Sequence, residues 1–212
     1  MTIAYKWLGD KKVTTLSLPN YPGFSKNHKC DRALCRDAIR ILDEADIIVA
    51  HNGKKFDAKW LTARFLKHNL RPPSPYKIFD TLTEHRKLAA APSHKLDDLG
   101  GIYGLGRKRP TTGKKLWLDC RAGKRSAFRK MARYNAQDVI LLERLYLHIR
   151  PWSKHPDLRL LSRAANSCPV CESNHTIFRG WHYYATGKKQ RSLCKDCGHR
   201  FILGKHHPLE RV

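Results

Sequence analysis

The sequence predicts an α/β domain, with a mixed sheet flanked by helices, followed by a small cysteine-rich module. Three observations carry that expectation. Two short apolar strands open the chain as a hairpin. A β-branched strand then alternates with amphipathic helices. Four of the seven cysteines fall in two C-x-x-C pairs near the end of the sequence. Strand–helix alternation after an antiparallel hairpin implies a sheet of mixed direction.

The elements follow in order. Residues 3–8 (IAYKWL) and 13–18 (VTTLSL) read as strands joined through Gly-Asp-Lys-Lys, and YPGFSKNHK as a loop. Over residues 31–45 the apolar positions Leu34, Ala38, Ile41, Leu42 and Ala45 fall at helical spacing, with a polar opposite face. IIVAH, ending at His51, reads as a buried strand. Residues 55–69 read as the next amphipathic helix, stopped by Pro72, Pro73 and Pro75. YKIFDTL is a short strand or extended segment ending at Asp80. HKLDDLGGIYGLG suggests a short helix stopped by glycines, and RKRPTTGKK a basic loop. Residues 126–149 read as a long helix ended by Pro151. The expected organisation is a domain over residues 1–152, a linker over 153–167 and a cysteine module over 168–204.

The chain has 212 residues, 41% of them apolar, which is enough for one core and a small second unit. There is no run of eighteen apolar residues to span a membrane and no long apolar stretch near Met1 that reads as a signal peptide. A cytoplasmic location is expected. Lys plus Arg total 42 against 18 acids, a formal net charge of +24 spread along the whole chain. Self-repulsion of that size calls for a polyanionic partner, and a phosphate-binding surface fits better than a single basic tail.

Two carboxylates stand out. Ligands of open α/β sheets collect beyond the carboxyl ends of the strands. The stretch HNGKKFD, which follows the strand IIVAH, places Asp57 in the first turn of a helix, after a turn made by Asn52 and Gly53. A plain helix-stabilising role at the dipole's positive end is equally open to Asp57. In RYNAQDVILLERLY, Tyr134 and Asp138 share one helix face, continued by Leu141, Leu142, Leu145 and Ile149. Asp138 therefore lies on the apolar stripe, where a carboxylate needs a counter-ion, a metal or a proton. A salt bridge to an arginine is the simpler answer. Paired carboxylates with a phenol one turn away suit two-metal phosphodiester hydrolysis, with Mg²⁺ or Mn²⁺ ions about 3.5–4 Å apart.

H-N-x-x-x-F-D (His51 to Asp57) and Y-x-x-x-D (Tyr134 to Asp138) resemble the second and third motifs of DEDD-type 3′–5′ exonucleases, in their tyrosine (DEDDy) branch. FDTL at 79–82 and HKLDDL at 94–99 resemble segments between those motifs. The resemblance covers about residues 1–150 and implies a ribonuclease H-like fold. With its cysteine module, the chain looks most like exonuclease-like proteins of bacteriophages. By this resemblance Asp57 and Asp138 bind catalytic Mg²⁺ or Mn²⁺, and Tyr134 positions the attacking water. Asn52 and Asp80 support the substrate. DNA is the favoured partner, in phage DNA metabolism, defence or repair, within the host cytoplasm. The first motif of that superfamily, D-x-E on a central strand beside IIVAH, has no counterpart on the N-terminal strands here. Asp10, in a turn, and Asp31, at a helix start, are poor substitutes. Three explanations stand: a longer reading frame, a strand supplied by a protein partner, or a non-catalytic nucleic-acid-binding protein on a degraded fold.

CPVC (168–171) and CKDC (194–197), 22 residues apart, resemble the knuckles of a zinc ribbon. Cys168, Cys171, Cys194 and Cys197 would hold structural Zn²⁺ as thiolates. His175, His182, His199, His206 and His207 lie nearby and could replace one sulfur. The segment between the knuckles interleaves Trp181, Tyr183 and Tyr184 with Arg179, Lys188, Lys189 and Arg191. These residues serve either base stacking or the ribbon's own core. The ribbon could also dock on a protein partner. RKRPTTGKK carries five cations, with Arg107, Lys108 and Arg109 suited to phosphate contact, and Arg133 adds charge beside Tyr134. The glycines of GIYGLG do not form a strand–turn–helix dinucleotide signature.

Overall fold

A computed structural model describes residues 1–153 and 167–208. It divides into two units, Met1–Ile149 and Arg150–Val212. Apart from its two end residues, the expected linker over 153–167 lies outside the described residues.

In the first unit, β1 (Thr2–Tyr5) and β2 (Thr14–Ser17) pair antiparallel, Ile3 facing Leu16, and Gly9 turns the connection at φ +94°. Helix α1 (Arg32–Glu44) buries Leu34, Cys35, Ala38, Ile39 and Leu42, the i, i+3/i+4 stripe of an amphipathic helix. Then follow β3 (Ile47–Ala50), α2 (Asp57–Lys67) and β4 (Lys77–Asp80). β3 and β4 run parallel, Ile47 beside Lys77 and Ala50 beside Asp80, so both strands present their carboxyl ends together. The unit closes with α3 (Thr81–Leu88), α4 (Leu96–Ile102), α5 (Lys114–Arg121) and the long α6 (Arg125–Ile149).

The mixed sheet expected from the sequence is present as two separate pairs. Ile3 of β1 and Ile48 of β3 pack on one cluster from α1 and α2: Cys35, Ala38, Ile39, Leu42 and Phe65. Helix α6 packs against β1, β2 and β3. The pairs share their helices, yet among the described residues no ladder joins β1 to β3. The Leu18 N–H donates to the Met1 carbonyl at 3.1 Å, so Thr2 and Ala4 direct their peptide groups away from β2. The Asn135 side chain of α6 donates to the Thr2 carbonyl at 3.3 Å. On β3, Asp46 accepts from the Lys77 N–H at 2.9 Å, so Ile47 and Val49 face away from β4. This open edge explains why β3, expected to be buried, is only half-buried.

Two helices were not expected. α3 starts on Asp80, whose carboxylate caps it, and α5 forms within the basic segment once Gly113 has turned the chain at φ +53°.

The second unit holds β5 (Thr176–Tyr184), β6 (Gly187–Cys194) and β7 (Arg200–Pro208) as an antiparallel sheet in the order β5-β6-β7. β5 and β6 pair as a hairpin between the knuckles, Tyr184 beside Gly187. β7 adds a third strand that the cysteine spacing alone does not specify.

Candidate functional site

The site gathers beyond the carboxyl ends of β3 and β4. Asp80 is buried there and accepts four backbone N–H groups. One oxygen takes Asn52 (2.9 Å), Leu82 (3.1 Å) and Thr83 (3.3 Å), and the other takes Lys54 (3.2 Å). This carboxylate caps α3 and clamps the loop that leads to Asp57. Asn52 sits in the left-handed region at φ +65°, a conformation its short amide side chain tolerates. Gly53 is required for a different reason: a Cβ there would meet the Ala50 Cβ at 2.3 Å.

His51 completes the floor. Its Nδ1 lies 2.9 Å from Thr81 Oγ1, and its Nε2 lies 2.9 Å from the His94 carbonyl and therefore carries the proton. Burial pushes its pKa below the usual histidine value against the pull of the His94 carbonyl and the Asp80 charge. Behind it, buried His85 reaches His94 Nδ1 at 2.9 Å and the Tyr103 hydroxyl at 2.6 Å.

Asp57 is the first helical residue of α2 and is exposed. Crowding by the protein raises its pKa, and Asp80 adds to the rise. Its own N–H and the Lys108 ammonium oppose it. Beside it Phe56 and Trp60 stand 53% and 61% exposed, their rings 6.2 Å apart. The motif around Asp57 drew attention to the acid; these two aromatics at i, i+4 spacing were the further signal.

On α6, Tyr134 and Asp138 share a face as the spacing predicted, and Lys108 joins them. Its Nζ lies 2.8 Å from Asp138 Oδ2 and 3.2 Å from the Tyr134 hydroxyl. The counter-ion of Asp138 is thus a lysine rather than an arginine. Burial alone would lower the Lys108 pKa, but the bonds to Asp138 and Tyr134 raise it above the usual lysine value. Asp138 Oδ1 is buried and has no hydrogen-bond partner. An unsatisfied buried acceptor costs about 1–3 kcal/mol, and a hard divalent cation would satisfy it. Asp138 Oδ1 thus offers one oxygen to such an ion, and Lys108 links the two acids, bonding to Asp138 and exerting its charge on Asp57. Among the described residues no trio of acids closes within 4.8 Å at this place.

The loop carrying Lys108 is fastened at its base. Asp97 accepts the Lys108 N–H at 2.7 Å, and its carbonyl accepts Arg107 Nη1 at 2.9 Å. Gly100, just before GIYGLG, and Gly101 serve this packing: a Cβ on Gly100 would meet the Gly106 carbonyl oxygen at 2.5 Å and Leu141 Cδ1 at 2.9 Å, and one on Gly101 would meet Arg107 Nη1 at 2.6 Å. Arg109 and Arg133 are exposed.

A family model of the RNase H superfamily matches residues 2–150. The chain belongs to the RNase H superfamily. No curated protein matches it. The RNase H-like unit has a nuclease-type fold.

Outside that unit, the sulfurs of Cys168, Cys171, Cys194 and Cys197 all lie within 4.8 Å of one another. Cys168 is 3.5 Å from Cys197, and Cys171 is 3.5 Å from Cys194. A tetrahedral shell with Zn–S bonds near 2.3 Å has edges of about 3.8 Å, so the cluster fits Zn²⁺. It needs no histidine: His175 pairs with Asp196 at 3.0 Å, and His199 stacks on Phe201. Burial opposes ionisation of Cys194, yet the Cys197 and Asp196 N–H groups bring its pKa down to about 7.

Asp31, Cys35 and His68 form the other cluster of metal-type ligands among the described residues. Asp31 is already paired with Arg64 and His68. Burial holds the Cys35 thiol up at about 11, so this cluster is a buried ion pair.

Proposed function

We propose that the RNase H-like unit is a metal-dependent 3′–5′ exonuclease that hydrolyses the phosphodiester bonds of DNA. One observation carries this reading: Asp138 keeps a buried oxygen free, and the lysine on its other oxygen also binds Tyr134 and exerts its charge on Asp57. Asp57 and Asp138 would hold Mg²⁺ or Mn²⁺, which when bound activates a water and neutralises charge on the phosphate. Tyr134 orients the water through its hydroxyl. Phe56 and Trp60 offer stacking faces to a terminal base. Asn52 and Asp80 fix the loop between them, so their part is positioning. Arg107, Arg109 and Arg133 add charge for the DNA backbone, in keeping with the chain's +24. The ribbon's four cysteines would hold structural zinc.

A second reading is favoured by the open edges at Ala4, Ile47 and Val49 and by the missing D-x-E. In it the chain binds nucleic acid without cutting, or cuts only when a partner strand pairs there. Degradation of 3′-labelled single-stranded DNA with Mn²⁺ separates the two. Exonuclease activity predicts shortening from the 3′ end that EDTA, Asp57→Ala and Asp138→Ala each abolish. Binding without shortening rules out catalysis by this chain alone.

A further inference from the structure

We propose that Lys108 is a built-in cation of this site, taking the charge position of a second metal ion, so that the site works with a single divalent ion. This rests on the metal-dependent reading above. The two carboxyl oxygens of Asp138 are treated differently by the fold. Oδ2 holds the Lys108 ammonium at 2.8 Å, whereas Oδ1 is buried and left without a partner. The same ammonium reaches the Tyr134 hydroxyl at 3.2 Å and lies 5.4 Å from the centre of its ring. One positive charge thus already sits between the phenol and the acid, and its influence extends to Asp57.

Charge balance points the same way. Two metal ions bring four positive charges, one more than two carboxylates and a substrate phosphate neutralise. Of the three acids at the site, Asp80 spends both oxygens on backbone N–H groups, which leaves Asp57 and Asp138, and among the described residues no three acids lie within 4.8 Å of one another here. One divalent ion and one ammonium bring three positive charges, which the two carboxylates and a substrate phosphate match. Lys108 is also held as a fixed ligand would be. Its backbone N–H is bound by Asp97 at 2.7 Å, and the next residue back, Arg107, bonds to the Asp97 carbonyl at 2.9 Å. A lysine on a long flexible stem loses rotamer freedom when both ends are tied, which suits a charge whose position matters.

The test counts manganese on the zinc-loaded chain, by loss of the free Mn²⁺ electron-spin signal, for the parent, Lys108→Arg and Lys108→Met. The inference expects one Mn²⁺ per chain in the parent and in Lys108→Arg. In Lys108→Met the vacated Oδ2 admits a second ion, and the count rises to two. Equal counts in parent and Lys108→Met overturn it. So does a parent that binds none while Lys108→Met binds one, because Lys108 would then be blocking the site. Asp138→Asn should lose manganese in every background. The count needs no turnover. A parent that binds one ion yet never shortens DNA defeats the exonuclease reading and leaves this one standing. A parent that cuts, with unchanged rate and count in Lys108→Met, defeats this one alone.

Discussion

Asp80 of β4 holds the backbone N–H of Asn52, two residues past the β3 end, at 2.9 Å, and so ties the two strand ends into one floor. Three other N–H groups share this carboxylate, and two of them start α3. Asp80→Ala removes a helix cap, worth about 1 kcal/mol. It also leaves buried donors unpaired at about 1–3 kcal/mol. The expected loss is about 2–4 kcal/mol in a urea melt. Weaker Mn²⁺ binding should accompany it, because the Asn52–Lys54 loop sets the approach to Asp57. A melt within 0.5 kcal/mol of the parent would show that the cap is dispensable.

Gly53 tests the same loop without touching a polar atom. A methyl there meets Ala50 Cβ at 2.3 Å, and Asp57 Oδ2 at 3.7 Å. Overpacking of this kind costs about 1–3 kcal/mol. The relief available is to push the loop outward, carrying Asp57 with it. Gly53→Ala should therefore lose metal affinity while the ribbon's zinc content stays at the parent level. Unchanged metal affinity would mean that Asp57 is positioned by α2 alone.

These contacts mark what a sequence can and cannot announce. The α1 stripe, the β3–α2 step and the Tyr134–Asp138 face are periodic, so they were legible. The four cysteines were legible through spacing. α3 was missed although Asp80, followed at Glu84 by another acid, is a recognisable helix start. The clasp of Lys108 on Asp138 joins positions thirty residues apart in sequence, and no local period encodes it. The division of the sheet was signalled by the missing D-x-E. The free edge at Ile47 and Val49, however, follows only from observed hydrogen-bond directions.

The histidines under the site give a pH dependence. Burial holds both His51 and His85 below the ordinary histidine value of 6.5, with His94 and His148 adding to the effect on His85. As pH falls through 6.5, the unfolded chain takes up protons that the folded chain refuses, so stability drops. Thermal melts should fall progressively between about pH 6.5 and 5. His85→Gln should flatten that slope, since a glutamine does not titrate, although its own melt at pH 8 is lower through loss of the Tyr103 and His94 contacts. Asp43, held at about 2 by Arg71, titrates outside this window. A parent melting point constant from pH 7 to 5.5 would contradict the assignment.

Asp31 supplies a control that separates structure from metal binding. It is buried at the start of α1, with Arg64 and His68 on its oxygens. Breaking a buried pair by removing one partner costs about 3–5 kcal/mol, and the partial exposure of Arg64 places this one at the lower end. Arg64→Met should thus destabilise the RNase H-like unit by about 2–3 kcal/mol. At 25 °C and neutral pH it should leave both the manganese count and the zinc content as in the parent. A second zinc or manganese bound after Arg64→Met would mean that the guanidinium was standing in for a metal on Asp31, Cys35 and His68.

The four-cysteine cluster sets the last expectation. Its sulfurs come from two knuckles, one before β5 and one running from the end of β6 toward β7, and since Thr176 pairs with Cys194 a shared ion fastens the strands at one end of the sheet. Structural zinc contributes folding free energy directly in small units of this kind. Metal analysis should give one zinc per chain. Cys194→Ser should lose it, together with the near-ultraviolet signal of Trp181 and its neighbours on β5. The first unit has its own core on α1, α2 and α6, so its thermal transition should survive the loss. Its manganese binding, which depends on Asp57 and Asp138, should survive as well. A chelator that strips zinc without changing the aromatic signal would show that the β5–β7 sheet stands on its packing alone.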